Sequence, residues 1–252
     1  MRQLTTEFVK TNSAAWEMDR IQETASRLAR ATPEETLRWA FEQFGETATI
    51  ATGFGAEGVA LIDIAVKITP TPNIFFLDTA FLFSETHELR QRIEQRYGIR
   101  IKSFQSQLTP QQQEIEFGPR LWSTDPDLCC RLRKLEPLKE ALQGRAAWIT
   151  AIRRDQTIER SNAEVVEWDY QWQLIKINPL VRWGRGDVWD YIKRNHVPYN
   201  ALHDRGYPSI GCTHCTISVG EGESERAGRW AGKVKTECGL HAPARSLVVL
   251  AG

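Results

Sequence analysis

Five cysteines carry the strongest chemical signal in this 252-residue chain: Cys129-Cys130, Cys212-x-x-Cys215 and a solitary Cys238. The two tight pairs, about eighty residues apart, supply four thiolates, enough for one tetrahedral sulfur site holding zinc or an iron–sulfur cluster. The adjacent pair helps to separate these options. Neighbouring side chains diverge and seldom reach one small ion, whereas a cluster can take consecutive residues on different irons. The spacing therefore favours iron–sulfur over zinc. Unrelated buried cysteines are the bland alternative, and two paired motifs in a five-cysteine chain speak against it. His214, inside the second pair, is surplus to a four-sulfur site. The fifth thiol, in Glu237-Cys238-Gly239-Leu240-His241, is left for nucleophilic chemistry. If this segment forms a helical turn, His241 lies over the thiol and helps to hold a thiolate or an oxyanion.

Basic residues gather where an anion could be held. Lys134 lies one turn beyond Cys130, and Arg153, Arg154 and Arg160 follow a predicted strand. Arg226 and Arg229 precede Cys238 in Glu225-Arg226-Ala227-Gly228-Arg229-Trp230. Each alone reads as a solvated surface charge. As a set around a strand-end crevice they suit phosphate or sulfate oxygens, which guanidinium forks match. The turn Thr52-Gly53-Phe54-Gly55-Ala56-Glu57 lacks the Gly-Lys-Ser/Thr ending of a P-loop and the spacing of a dinucleotide fingerprint, so a structural turn and a phosphate cradle both stay open. Asp78 and Thr79 close the next strand, and either face the same crevice or cap a helix. The nine Trp are assigned to packing.

The elements that position these residues alternate. Helices are predicted over Ser13 to Arg30 and, with a capping-box spacing from Thr32, to about Phe44. A β-rich Thr47 to Ala51 runs through the glycine turn into an apolar helix, Val59 to Val66. Strands follow at Asn73 to Asp78, Ile99 to Phe104 and Ala146 to Ile152, with further candidates at Val165-Val166 and Leu174 to Ile177. Helices are expected at Ser84 to Tyr97, Leu128 to Gln143 and Arg185 to Asn195. Strands separated by helices predict an α/β fold, a Rossmann-like parallel sheet flanked by helices, with ligands at the strand carboxyl ends. Residues 1–45 are read as N-terminal helices packed on the main domain, 46–197 as a nucleotide-binding α/β domain. Residues 198–252, where Gly and Pro recur, are read as an irregular C-terminal arm.

Bulk composition narrows the partners. Lys+Arg and Asp+Glu balance at 32 each, which gives no field for nucleic acid or an anionic membrane. With 41% hydrophobic residues and no membrane-length apolar run, the chain is expected to be cytoplasmic, where thiols stay reduced. A homo-oligomer is compatible with the sequence.

Taken together, Cys-Cys…Cys-x-x-Cys, Arg153-Arg154-Asp155-Gln156, Glu-Arg-x-Gly-Arg-Trp and Glu-Cys-Gly-Leu-His resemble the APS/PAPS reductase family, in particular its assimilatory adenylyl-sulfate reductases, over roughly Thr47 to His241. The resemblance implies an adenine nucleotide α-hydrolase-like fold and a [4Fe-4S] cluster on Cys129, Cys130, Cys212 and Cys215. It also implies that Cys238 attacks the sulfur of adenosine 5′-phosphosulfate (APS), and that thioredoxin or a similar dithiol releases sulfite. Positions matching Lys134, Arg160, Arg226, Arg229 and His241 would hold the phosphosulfate, while Thr52 to Glu57, with Asp78 and Thr79, would line the nucleotide crevice. Arg153 and Arg154 are candidates to meet the extra 3′-phosphate of PAPS. The family commonly carries a Ser in the glycine turn, where this chain has Thr52-Gly53-Phe54, and Leu-Asp-Thr-Gly where this chain ends in Ala80; a positive φ at Ala80 is expected to be costly. The competing readings are a PAPS or dual-substrate reductase, and a zinc-stabilised nucleotide-binding regulatory protein with Cys238 idle. A PP-loop ATP pyrophosphatase is disfavoured, because the turn lacks Ser-Gly-Gly-x-Asp-Ser.

Overall fold

The computed structural model describes residues 16–220, 222–233 and 235–241; the expected helix start at Ser13 and both chain ends lie outside them. Helix α1 spans Met18–Leu28 and α2 spans Pro33–Phe44. The start of α2 is set by its sequence. Pro33 opens the helix, the Thr32 hydroxyl accepts from the Glu35 N–H at 3.2 Å, and the Glu35 carboxylate accepts from the Thr32 N–H at 2.7 Å. Helix α3, Ala56–Ile68, buries most of its circumference against the sheet, as an apolar-all-round helix must. Helix α4 is Ser84–Tyr97.

Six strands form one sheet: β1 Ala48–Thr52, β2 Ile74–Asp78, β3 Lys102–Gln105, β4 Ala147–Ile149, β5 Val166–Asp169 and β6 Leu174–Ile177, in the order β3-β2-β1-β4-β6-β5. Strand alternation divides the core in two. Ile50, Phe76, Ile149 and Ile175 join the larger cluster with α2 and α3, whereas Phe75, Trp148 and Leu174 join a second with Leu138 and Leu142. The chain moves outward from β1 to β2 and β3, then returns to the other side of β1 as β4. That reversal opens a crevice at the carboxyl ends of β1 and β4. Among the described residues no helix is long and apolar enough to cross a membrane.

Several expectations needed adjustment. Strand β5 runs antiparallel to β6, because only residues 170–173 join them, far too few for a parallel crossover. Ile99 and Ile101 are buried beside the core before β3 begins to pair. Helix α5, Pro110–Phe117, and a single turn at Leu121–Thr124 had not been anticipated. The expected Leu128 to Gln143 helix is three pieces: α6 Pro126–Cys130, a widened π turn over Arg131–Leu135, and α7 Glu136–Ala141. Pro137 lacks the N–H that an α-helix would aim at the Arg133 carbonyl, so the ladder is relaxed where the turn widens. Helix α8, Arg185–Arg194, packs on α3.

Candidate active site and thiol centre

The crevice encloses about 260 Å³ at the ends of β1, β2 and β4. Its floor is the glycine turn, where the Thr52 hydroxyl accepts from the Phe54 N–H at 3.1 Å and helps to hold Phe54 at a φ of +57°. Phe54 itself is buried against Phe76, with ring centroids 5.4 Å apart, and lies under the floor. A Cβ on Gly58 would stand 2.7 Å from the Thr52 hydroxyl, so glycine lets α3 start close to the turn. Thr52, Gly53, Gly55, Glu57 and Thr79 line the cavity. Asp78 does not: its carboxylate accepts from the Ala80 N–H at 3.0 Å and from Gln105 at 3.2 Å. That first bond steadies Ala80 at the left-handed φ of +59° which the sequence had marked as costly.

Cys238 opens onto this cavity with Lys134, Arg160, Arg226, Arg229 and His241. Burial pushes its thiol up, but the Lys134 ammonium, the Leu240 N–H and Arg229 outweigh burial and bring its pKa below the ordinary thiol value. Lys134 shows the reciprocal effect. Burial works against its charge, yet the thiols of Cys212, Cys238 and Cys130 raise its pKa. Arg229 lies 4.6 Å over the Trp230 ring and reaches the Ser209 hydroxyl at 3.3 Å. A side chain at Gly211 would collide with its guanidinium at 2.4 Å. The Cys238 segment is irregular, with Gly239 at a φ of +83°, in place of the conditional helical turn. His241 instead stacks on Trp148 at 5.2 Å, and burial, then Arg160, Lys176 and Arg226, keep its imidazole neutral.

Arg153 and Arg154 are turned away from the cavity. Arg153 is 1% exposed and paired to Glu57, to Asp155 at 2.8 Å and to Glu225 at 3.1 Å. It pins the glycine turn to the arm. Arg153→Leu leaves those carboxylates without their cation, and is expected to cost about 3 kcal/mol, or on the order of 8 °C in melting temperature by calorimetry. Arg154 donates to the Ala163 carbonyl at 2.7 Å and to Glu164 at 3.0 Å.

The four paired cysteines converge from two segments. Cys129 and Cys130 sit in α6, whose N-terminus is capped by Asp125 on the Leu128 N–H at 2.9 Å. Cys212 bridges backbone-to-backbone with Leu82, and the Thr213 N–H reaches the Phe81 carbonyl at 2.8 Å. The Thr79 hydroxyl lies 3.3 Å from the Cys212 sulfur. All four thiols face one cavity of about 10 Å³. Burial, then Cys130, Cys212 and Cys215, push the Cys129 thiol up to about 12. Among the described residues no three Cys, His, Asp or Glu side chains close around a single ion. This donor set is soft, buried and mutually repulsive when ionised, and so fits a thiophilic, cationic metal group. His214 is outside it, stacked on Trp122 at 3.9 Å.

Sequence reasoning missed Gln156, which donates structure rather than charge: its side-chain oxygen accepts from Arg160 at 2.6 Å and from the Arg153 N–H at 3.0 Å. It also missed Trp172, whose indole N–H reaches the Leu240 carbonyl at 3.3 Å, and Glu237, which pairs with Arg160 and Arg226. Glu237 sits beside the lone cysteine in its motif and Gln156 closes the Arg-Arg-Asp-Gln motif, whereas Trp172 carries no local signal.

Residues 47–218 match the model of the phosphoadenosine phosphosulfate reductase domain. The chain belongs to the phosphoadenosine phosphosulfate (PAPS) reductase family. Adenosine 5′-phosphosulfate reductase from Halalkalibacterium halodurans is 46% identical over 222 residues, covering 88% of this chain and 96% of that protein. Adenosine 5′-phosphosulfate reductase 2 from Bacillus subtilis is 47% identical over 208 residues, covering 82% and 88% respectively. A phosphate complex of phosphoadenylyl-sulfate reductase from Candida auris superimposes with a TM-score of 0.73 at 30% identity, over 81% of this chain and 98% of that one. The PAPS reductase family member described here is thus an oxidoreductase acting on a sulfur group, with an adenine nucleotide α-hydrolase-like fold.

Proposed function

We propose that this protein is a cytoplasmic, thioredoxin-dependent APS reductase, which yields sulfite and AMP through an S-sulfonate on Cys238. The observation that carries the reading is the half-buried Cys238 opening, with Lys134, Arg160, Arg226 and Arg229, onto one crevice at the sheet's switch point, where the nearby cations draw its thiol's pKa down. Of the described residues, 46–197 serve as the nucleotide-binding domain, 16–45 as helices packed on it, and those from 198 to 241 as the arm that brings the nucleophile.

In the first step the Cys238 thiolate attacks the sulfur of APS, an S–O bond breaks, and AMP departs with the bridging oxygen. Two anions must meet for this, and Lys134, Arg160, Arg226 and Arg229 offset their repulsion and the charge growing on the leaving phosphate. Neutral His241, held on Trp148, supplies an uncharged hydrogen-bonding ring to the same anion. In the second step a donor thiolate attacks the Cys238 sulfur and expels sulfite, and the donor's second thiol resolves the mixed disulfide. The dithiol supplies both electrons.

Cys129, Cys130, Cys212 and Cys215 would hold a [4Fe-4S] cluster. The adjacent Cys129-Cys130 pair, facing one cavity with Cys212 and Cys215, favours a group wider than a single zinc ion. When bound, the cluster would tie the arm to α6 and so fix Lys134 beside Cys238; it need not cycle, because the dithiol carries the electrons.

APS is favoured over PAPS because Arg153 and Arg154, unlike Arg160 and Arg226, do not line the cavity and so are not placed to meet a 3′-phosphate. Anaerobic incubation with APS followed by intact-mass measurement is expected to add one sulfite-sized group, mapped to Cys238 and removed by thioredoxin. The same modification on another residue ends the proposal, and a higher kcat/KM for PAPS reverses the choice of substrate.

A further inference from the structure

Two of the crevice cations already hold an anion. The Glu237 carboxylate lies 2.8 Å from Arg160 Nε and accepts from another Arg160 nitrogen at 2.9 Å. It also accepts from Arg226 at 3.2 Å and from the Thr157 hydroxyl at 3.3 Å. Glu237 is 13% exposed at its side chain and directly precedes Cys238. These bonds join the turn after β4 to the arm, across 77 residues of sequence.

The backbone supplies little of this positioning. Residues 235–241 belong to no helix or strand, and Gly239 takes the left-handed conformation. Cys238 is therefore located by its neighbours' side chains: Glu237 on the two arginines, Thr236 on Glu159 at 2.9 Å, and Leu240 under Trp172. A carboxylate and a phosphosulfate present alike oxygens to a guanidinium fork, and both cannot fill the same donors.

We propose that Glu237 is an internal stand-in for the substrate anion: in the free enzyme its carboxylate occupies the Arg160–Arg226 pair and holds Cys238 in the crevice, and the substrate binds by displacing it. This rests on the reading that Arg160 and Arg226 receive the phosphosulfate. Glu237 acts through the arginines and is a positioning residue. Two opposed effects follow from one contact. Removing its charge frees the cations for the substrate, and loosens the nucleophile.

The test uses the metal-replete full chain in a Cys238→Ser background, which binds APS without turnover. Adding Glu237→Gln is expected to tighten APS binding about tenfold by calorimetry, since less of the free protein is held in the competing state. In enzyme retaining Cys238, the same substitution should lower KM while slowing single-turnover sulfonation. A residue that only braces the arginines gives the opposite sign, so unchanged or weaker binding overturns the proposal. Arg226→Met separates the two layers of argument. If it leaves APS affinity unchanged, the assignment of the cations has failed; if it weakens binding while Glu237→Gln does not tighten it, only the stand-in has failed. Should Glu237→Gln not fold, Glu237→Asp serves: its shorter carboxylate cannot span both guanidiniums, and tighter binding is again required.

Discussion

Cys238→Ser is expected to suppress sulfite release by roughly four orders of magnitude or more. The hydroxyl is ionised too weakly to exploit Lys134 and Arg229, which lower the wild-type thiol's pKa against the effect of burial. Even a successful attack would give an oxygen ester, from which a dithiol cannot expel sulfite. Iron content and nucleotide binding should persist, because this thiol is separate from the quartet and the crevice floor is untouched. The assay pairs sulfite production with intact mass and iron determination. Wild-type trapping of labelled sulfo group by the variant would remove Cys238 from the role. The acidified thiol also has a pH signature. Thiolate rises with pH, so iodoacetamide should modify Cys238 at lower pH than an ordinary cysteine, and Lys134→Met should move that profile upward.

The second large effect is expected from Cys212→Ala. Cys212 is buried, contacts Thr79, and stands where the arm makes its backbone bridge to Leu82. Its loss should take bound iron from about four per chain to near zero, with the colour, and reduce activity at least about a hundredfold as the arm loses its anchor. Colorimetric iron analysis and the visible spectrum of anaerobically purified protein measure this directly. Undiminished iron in the variant would show that the four thiols do not hold one group.

The sheet could be read from the chain because its short apolar runs and the helical patterns between them are local. Ile74 to Leu77 with Ser84 to Tyr97, and the Thr32 capping box, announce themselves in a few residues each. The direction of β5 was not local. It depends on the four-residue connection to β6, too short for a crossover, and the expected strand at Val165-Val166 stopped short of the observed end at Asp169, which hid how tight that connection is. At the site, cysteine pairs stood out because their spacing limits what they can bind. The duties of the arginines did not. Arg153 and Arg160 are alike in sequence, yet one is bound by three carboxylates behind the wall and the other faces the cavity. Partners 72 and 77 residues away decide which is which.

The widened turn at Arg131–Leu135 sets a screw angle inside one helix. Arg133 leaves it toward Gln113 and the Leu108 carbonyl, at 2.7 and 2.9 Å, while its immediate neighbour Lys134 faces the sulfurs and Cys238. Each residue of helix advances the azimuth by about 100°. Shortening this stretch by one amino acid would therefore swivel the Cys129-Cys130 pair by more than a quarter revolution against α7, with every side chain still present. In this protein the count of residues between a sulfur pair and a proline is as much a part of the catalyst as their identities.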